Sequence, residues 1–416
     1  MTAELQQARA RLRAYIEREG FAGYDPYDAL NTRLPLARLG KWGPAIAIQL
    51  HKRNPVNLRR LLGIAKGRNP KGIGLLLQAY AMLWEREGDE AARETARELF
   101  EWLLAHPSEG YRGLCWGYNF AWANPQKNLP AYTPSVVVTA FVGQGLDAYH
   151  RATGDPRAAE ALRSACDFVL HDLPLTEHSD GVCISYTPVM QDGCYNASLL
   201  GAELLARAYA RTGEDALRDL ARRAVDFVVA RQHDDGRWNY SMDLATGAER
   251  AQVDFHQGFV LDSIAACMTH AELDDARHEE ALRRGTRFYR EAQFTDEGRA
   301  LWRLPKRWPT DIHCQAQGVL TFRRLRHLDP AYGPFAERVA AWAVRHMQDP
   351  SGAFYYRRGR LLTNKIPYMR WGQAWMMLAL AHLAEPREAR PDRPEAPRAS
   401  TDDVRPPTVH PPVRSR

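Results

Sequence analysis

The sequence has 416 residues, 45% of them hydrophobic and 25% charged, which is the composition of a globular protein with ample material for a large core. The formal net charge is +6, and no basic block is interleaved with aromatic residues, so a nucleic-acid partner is not favoured. No apolar stretch is long enough to span a bilayer, and residues 1–20 lack a signal-peptide pattern, so we expect a cytoplasmic protein.

The chain begins with a segment that is typical of a charged amphipathic helix, residues 1–20. The following stretch, Phe21 to Leu62, is irregular and contains the turn-rich run GYDPYDALN. We expect this stretch to wrap over one end of the fold.

One pattern then recurs along the chain. A long helix ends in Phe or Trp, a polar turn with Gly and aromatic residues follows, and a second, more apolar helix opens. The clearest copies begin at Phe227 (FVVARQHDDGRWNY), Phe288 (FYREAQFTDEGRALW) and Trp342 (WAVRHMQDPSGAFYY). Such a repeat, about 57–63 residues long, accommodates two helices and their loops. The second helices are expected to open near six positions: Pro70, Thr133, Asn196, Asp254, Asp311 and Tyr368.

The two helices of each repeat differ in their apolar pattern. The first is amphipathic, as Leu217, Ala221 and Val228 illustrate, whereas the second is apolar nearly all round, as in residues 198–209. A helix that is apolar all round must be covered on every side. The pattern therefore predicts an all-α fold over residues 1–384, a single (α/α)6 toroid domain with six inner and six outer helices. Short strands are expected only in loops, for example at 181–186.

Residues 385–416 are rich in Pro and Arg and nearly free of large apolar side chains. They cannot bury enough surface to offset the entropy of ordering, so we predict a disordered tail.

Parallel inner helices bring their N-termini to one mouth, where free N–H groups and partial positive charge favour a polar or anionic ligand. The loops entering this mouth are rich in aromatic rings, which suit sugar faces, and in polar groups, which suit hydroxyls. We therefore predict a saccharide cleft. The predicted substrate-binding residues are Trp116, Tyr118, Asn119, Trp122, Tyr186, Asn196, Trp238, Tyr368, Arg370 and Trp371.

Two D-x-H triplets open adjacent inner helices and supply the candidate catalytic residues, which are Asp254, His256, Asp311 and His313. Helices packed side by side lie about 8–10 Å apart, which would suit an inverting glycosidase with two carboxyl groups. The histidines, or Tyr118, could instead carry protons in an epimerase or lyase. The aspartates could also be simple N-caps and the histidines core residues. Arg59 and Arg370 are candidates for holding a uronate carboxylate.

The runs GYDPYDAL, NPVNLRRLLGI, NPKG, CWGYNFAW, YTPSVVVTAF, QHDDGRWNY, DFHQGF, DIHCQAQ and YMRWGQAW together resemble a known family. They are similar to the six-hairpin (α/α)6 toroid proteins encoded in bacterial exopolysaccharide clusters. The broader superfamily includes glycoside hydrolases, N-acylglucosamine 2-epimerase-like enzymes and unsaturated-uronate hydrolases. The resemblance covers the chain to about residue 384 and implies a role in making or modifying a surface polysaccharide, without specifying a reaction.

Three alternatives stay open. The protein could bind or scaffold a glycan without catalysis. It could be related to terpenoid cyclases or prenyltransferases, although their D-x-D-D acid motif is absent. The D-x-H triplets together with Cys314 could hold zinc, but the favoured interpretation needs no metal or cofactor. Cys166 and Cys267 lie in apolar helical stretches and are expected to be buried free thiols.

Overall fold

The computed structural model describes residues 1–34, 40, 42–124 and 127–385. The predicted tail, apart from Glu385, lies outside the described residues. The described chain is largely α-helical, and its helices are α1 (Ala3–Arg18), α2 (Gly43–Arg53), α3 (Pro70–Glu87), α4 (Glu90–Leu104), α5 (Val136–Thr153), α6 (Pro156–His171), α7 (Tyr195–Thr212), α8 (Asp215–Val229), α9 (His256–His270), α10 (Ala276–Gln293), α11 (Ile312–Arg324), α12 (Tyr332–Met347) and α13 (Ala374–His382). A 3₁₀ turn occupies Asp28–Asn31, and a π-helical turn, Met369–Gln373, leads into α13.

Six helices form a closed inner ring, which consists of α3, α5, α7, α9, α11 and α13. Each contacts the next, and α13 contacts α3. Five outer helices, α4, α6, α8, α10 and α12, pack against the inner helices that precede them in the chain. The sixth outer helix is α1, which packs against α12 and α13. The predicted (α/α)6 toroid is confirmed, and the first helix of the chain closes its last hairpin.

The burial patterns explain the two rings. In α3 every residue from Pro70 to Leu83 is buried, whereas α8 buries one face that includes Leu217, Ala221 and Val228. Five of the six inner helices begin within three residues of the predicted positions, and the π-helical turn that leads into the sixth, α13, begins one residue after the predicted Tyr368. One continuous apolar core extends from Leu5 to Leu383.

The loops that lead from outer to inner helices contain the strands. These are β1 (Trp122–Asn124), β2 (Lys127–Leu129), β3 (Leu175–His178), β4 (Gly181–Ile184), β5 (Gly193–Cys194), β6 (Ser241–Met242), β7 (Glu249–Arg250), β8 (Thr310–Asp311), β9 (Arg357–Arg358) and β10 (Thr363–Asn364). Two antiparallel pairs, β1–β2 and β3–β4, lie within single loops. The sheets β5–β6–β7 and β10–β9–β8 each connect the loops of neighbouring hairpins. These sheets fix the rim of the mouth at which the inner helices begin.

Buried charges hold the opposite end of the ring together. Asp147 accepts hydrogen bonds from Arg207 at 2.9 Å and from Arg211 at 2.7 Å, and Arg207 also donates to Glu203. Because each of these charges is paired, the cost of burying them is offset.

All six cysteines are buried and free, as expected for Cys166 and Cys267. Among the described helices, none has both the length and the hydropathy that crossing a lipid bilayer requires.

Candidate functional site

The structure brings both D-x-H triplets to the same mouth. Trp371 contacts both triplets, because its indole N–H donates to Asp311 at 2.9 Å and its ring centre lies 5.9 Å from that of Phe255. The ring of Phe255, the middle residue of the first triplet, stacks on His256 at 4.2 Å and on His313 at 4.3 Å. The four candidate catalytic residues therefore belong to one cluster.

Asp254 orients His256. The Nδ1–H of His256 donates to Asp254 Oδ1 at 2.5 Å, and the other carboxylate oxygen accepts from Gln252 at 2.8 Å and lies 3.4 Å from Arg303. Burial alone raises the pKa of Asp254, but the charge and hydrogen bond of His256 and the charge of Arg303 outweigh it and lower this pKa to about 2. The imidazole is 21% exposed, and its Nε2 is the nitrogen left for a ligand.

His313 is almost completely buried, and neither ring nitrogen has a hydrogen-bond partner in the described part of the chain. Its neighbours are aromatic, with Trp375 at 4.6 Å. Burial, together with the charges of Lys71 and Arg370, lowers the pKa of His313 well below its ordinary value. A neutral imidazole without partners is unusual in a protein core, and a bound ligand would explain it.

Lys71, which the sequence analysis did not select, lies in the same cluster. Its ammonium is buried 4.2 Å from the ring centre of Phe141 and 5.4 Å from that of Trp375. Burial and the charge of Arg370 lower the pKa of Lys71 well below its ordinary value, although Asp25 acts in the opposite direction. The sequence signal was a single charge in residues 70–84, the largely apolar part of α3.

Asp311 serves the structure of the mouth. One carboxylate oxygen caps α11 through the backbone N–H of His313 at 3.0 Å and also accepts from Trp371. The other oxygen accepts from Arg357 at 2.7 Å, across the β8–β9 pair. Both carboxylate oxygens of Asp311 are therefore occupied by hydrogen bonds that stabilise the rim of the mouth.

Arg59 and Arg370, the predicted candidates for holding a substrate carboxylate, are each paired with a carboxylate of the chain itself. Arg370 donates to both oxygens of Asp25, at 2.6 and 2.8 Å, and Arg59 donates to both oxygens of Asp28, at 2.9 Å each. All four side chains are buried. Burial raises the pKa of Asp28 to about 6 in spite of the charge of Arg59.

These pairs hold the segment that follows α1 over the mouth, as predicted for Phe21 to Leu62. Tyr27 lies 5.8 Å from the ring of Trp371, and the ammonium of Lys52 lies 4.1 Å above Tyr27. The chain beyond α1 therefore forms part of the wall of the site.

Two predicted sugar-binding tryptophans are packing residues. Trp116 donates its indole N–H to the carbonyl of Leu103 at 3.0 Å, and Trp238 donates to the carbonyl of Val228 at 2.8 Å. Both rings are fully buried against the ends of outer helices. This shared packing at equivalent repeat positions favours a structural role, and substrate contact by Trp116 and Trp238 stays a prediction.

The other predicted binding residues line or support the mouth. Tyr118 hydrogen-bonds to Tyr186 and lies 4.9 Å from the guanidinium of Arg370. Asn119 accepts from Asn69, the cap of α3, at 2.7 Å. Three further residues complete this group: Trp122 in β1, buried Asn196 at the start of α7, and Tyr368, 4.9 Å from Tyr356.

The triplets and Cys314 do not bring three metal-binding atoms together. Among the described residues, the group whose ligand atoms lie within 4.8 Å of one another is Asp226, Asp275 and His278, on the outer helices α8 and α10 or beside them. Arg277 already contacts both carboxylates.

The sequence matches no protein-family model, and no curated protein shows significant sequence similarity to it. Solved structures are similar at the level of the fold. A cellobiose 2-epimerase from Bacillus thermoamylovorans superimposes with a TM-score of 0.64 at 12% identity, over 92% of this chain and 99% of that chain.

An α-mannanase of family GH76 from Bacteroides thetaiotaomicron superimposes with a TM-score of 0.61 at 14% identity, over 78% of this chain and 88% of that chain. An unsaturated glucuronyl hydrolase specific for heparin superimposes with a TM-score of 0.59 at 13% identity, over 92% of this chain and 96% of that chain. The chain therefore has the six-hairpin glycosidase-like fold.

Proposed function

We propose that this chain is a carbohydrate-active enzyme that moves a proton on a saccharide bound at the mouth, as an epimerase or isomerase does. The observation that carries the proposal is the Asp254–His256 pair, a partly exposed imidazole oriented by a buried carboxylate at 2.5 Å. Positioned histidines are the commonest general acids and bases.

A proton transfer that inverts a carbon next to a carbonyl needs one group to remove the proton and another to return it. His313, as a neutral imidazole, would take the proton from the carbon next to the carbonyl of an open-chain sugar, and His256, paired with the Asp254 carboxylate, would return one from the other side. Lys71 would donate a hydrogen bond to the oxygen that becomes negative in between. The lack of hydrogen-bond partners for both nitrogens of His313 supports this assignment.

Glycoside cleavage by Asp254 and Asp311 has less support. That reaction needs one carboxyl group with a raised pKa to protonate the leaving oxygen. The pKa of Asp254 is lowered instead, and Asp311 is tied to the cap of α11, Trp371 and Arg357. We therefore give these aspartates positioning roles.

A saccharide substrate fits the ring faces at the mouth, among them Trp371 and Phe255. Structures with the same fold include a cellobiose 2-epimerase and a heparin-specific glucuronyl hydrolase. Together with the family resemblance of the sequence, this supports a substrate that belongs to a bacterial surface polysaccharide or its precursor, handled in the cytoplasm.

The proposal is tested by incubating the purified chain with glucose, mannose, N-acetylglucosamine, glucuronate and cellobiose and resolving the products by anion-exchange chromatography. We expect one sugar to be converted to its epimer or ketose. His256→Asn and His313→Asn should each lower the rate by about 100-fold or more, while Asp254→Asn should lower it less.

His106→Asn is the matched control, because this exposed histidine stacks on Trp102 away from the cluster. Cleavage of a glycosidic bond, or saccharide binding without any conversion, would contradict the proposal. Binding alone would favour a glycan-binding or scaffold protein.

A further inference from the structure

Exposed apolar side chains lie at one end of the toroid. The large hydrophobic residues that the described chain exposes are Leu34, Trp42, Ile46, Leu50, Val56, Leu58, Leu61, Tyr132, Val189, Leu361 and Leu362. Every one of them belongs to a segment that leads from an outer helix to an inner helix, and these segments form the mouth. Apolar exposure confined to one face marks an interaction surface.

Helix α2 carries the most regular part of this surface. Trp42 immediately precedes the helix, and Ile46 and Leu50 follow at intervals of four residues, so the three side chains share one face. They are 58%, 52% and 68% exposed. The opposite face is buried, since Ile48 packs with Ala29 and Ala123. The fold thus anchors α2 on one side and leaves an apolar stripe outside.

A hairpin tip extends the stripe at the C-terminal end of α2. Leu361 and Leu362 lie between β9 and β10, and Asn364 of β10 donates to the backbone carbonyl of Asn54 at 3.1 Å. Leu362 shares a cleft of about 170 Å³ with Lys52 and other residues of that region. We call α2 and this hairpin tip the apolar lip.

The segments that form the apolar lip contain basic residues and no acidic ones. Residues 29–69 contain nine Lys and Arg and no Asp or Glu, and residues 355–366 contain four Lys and Arg and no acid, whereas the whole chain has a net charge of only +6. Arg53, Arg60 and Arg360 are exposed in these two segments. An apolar stripe flanked by cations is complementary to a surface with a hydrocarbon interior and anionic headgroups.

We propose that the apolar lip docks the protein onto an anionic lipid bilayer, with Trp42, Ile46 and Leu50 inserted at the level of the headgroups and the arginines against lipid phosphates. The mouth then faces the membrane, so that a saccharide carried at the bilayer surface reaches the cluster directly. This docking does not depend on the reaction proposed above, and failure of either leaves the other intact.

The test is cosedimentation of the full chain with vesicles of phosphatidylcholine containing 30 mol% phosphatidylglycerol, and with vesicles of phosphatidylcholine alone. We expect binding to the anionic vesicles that weakens as salt is raised. The triple variant Trp42→Ser, Ile46→Ser, Leu50→Ser should reduce partitioning at least tenfold, and the variant Arg53→Gln, Arg60→Gln, Arg360→Gln should remove most of the salt dependence.

The matched control is Tyr132→Ser with Val189→Ser, which removes exposed apolar side chains of the mouth outside the lip and should change partitioning less than twofold. Circular dichroism checks that all variants are folded. Absence of binding to anionic vesicles would overturn the proposal, as would binding that the triple variant leaves unchanged. A dimer in sedimentation velocity that the triple variant converts to monomer, without vesicle binding, would assign the stripe to a second copy instead.

Discussion

Arg370 donates two hydrogen bonds to the carboxylate of Asp25, at 2.6 and 2.8 Å, and both side chains are buried. This contact joins the segment after α1 to the π-helical turn that leads into the last inner helix, two parts of the chain separated by 345 positions. The contact closes the ring at the mouth. It also occupies the guanidinium of Arg370, which the sequence analysis proposed for binding a substrate carboxylate.

Removal of Asp25 should therefore be costly. Asp25→Ala leaves the guanidinium of Arg370 buried without its partner, and we expect the free energy of unfolding to fall by about 3–5 kcal/mol. Urea unfolding measures this loss. The matched control is Glu4→Ala, which breaks an exposed pair with Arg345 and should leave stability within experimental error. Equal losses for the two variants would contradict the anchoring role of Asp25.

Lys71→Met should separate stability from function. The buried ammonium makes no hydrogen bond in the described part of the chain, and its cation–π contacts do not offset the cost of desolvation. We expect the variant to be more stable by at least about 1 kcal/mol, measured by urea unfolding, and to lose saccharide conversion. Lys66→Met, at an exposed lysine, should change neither property. A less stable Lys71→Met protein would show that the ammonium serves the fold.

Trp238→Ala tests the reassignment of that tryptophan to packing. Loss of a fully buried indole and its hydrogen bond to Val228 should lower the free energy of unfolding by about 3–5 kcal/mol. Trp42→Ala, at an exposed tryptophan, should stay within about 0.5 kcal/mol of wild type in the same measurement. A small loss of stability in Trp238→Ala, with weakened saccharide binding, would support the prediction that Trp238 contacts the substrate.

Acid should destabilise the end of the ring opposite the mouth. Burial raises the pKa of Asp147, but the charges of Arg207 and Arg211 outweigh it and lower this pKa to about 2. The depressed value stabilises the folded state above pH 4, by roughly 2 kcal/mol, and this contribution is lost as pH falls through 2. Asp147→Asn should flatten the dependence of unfolding free energy on pH between 5 and 2. An unchanged slope would contradict the pairing.

The architecture could be predicted from the sequence because the inner and outer helices differ in their apolar pattern along their whole length. Many residues contribute to the all-round apolar pattern of α3 and α7 and to the one-sided apolar pattern of α8. No single substitution therefore obscures either pattern. The starts of five inner helices, α3, α5, α7, α9 and α11, were predicted to within three residues for the same reason.

Individual roles at the mouth could not be predicted in this way. Trp238 and Trp371 both follow polar turns or loops, yet one packs behind the ring and the other lines the site. Arg370 was assigned to substrate because the sequence does not show that Asp25 lies beside it. Such partners are brought together only when the ring closes.

The exchange of substrate hydrogen for solvent deuterium tests the central claim most directly. The purified chain is incubated in D₂O with the five sugars named above, and deuterium at the carbon next to the carbonyl is followed by proton NMR. We predict incorporation by wild type and by the exposed-histidine variant His106→Asn, with a loss of about 100-fold or more in His256→Asn. Incorporation that persists undiminished in His256→Asn would contradict the proton-transfer role of the Asp254–His256 pair.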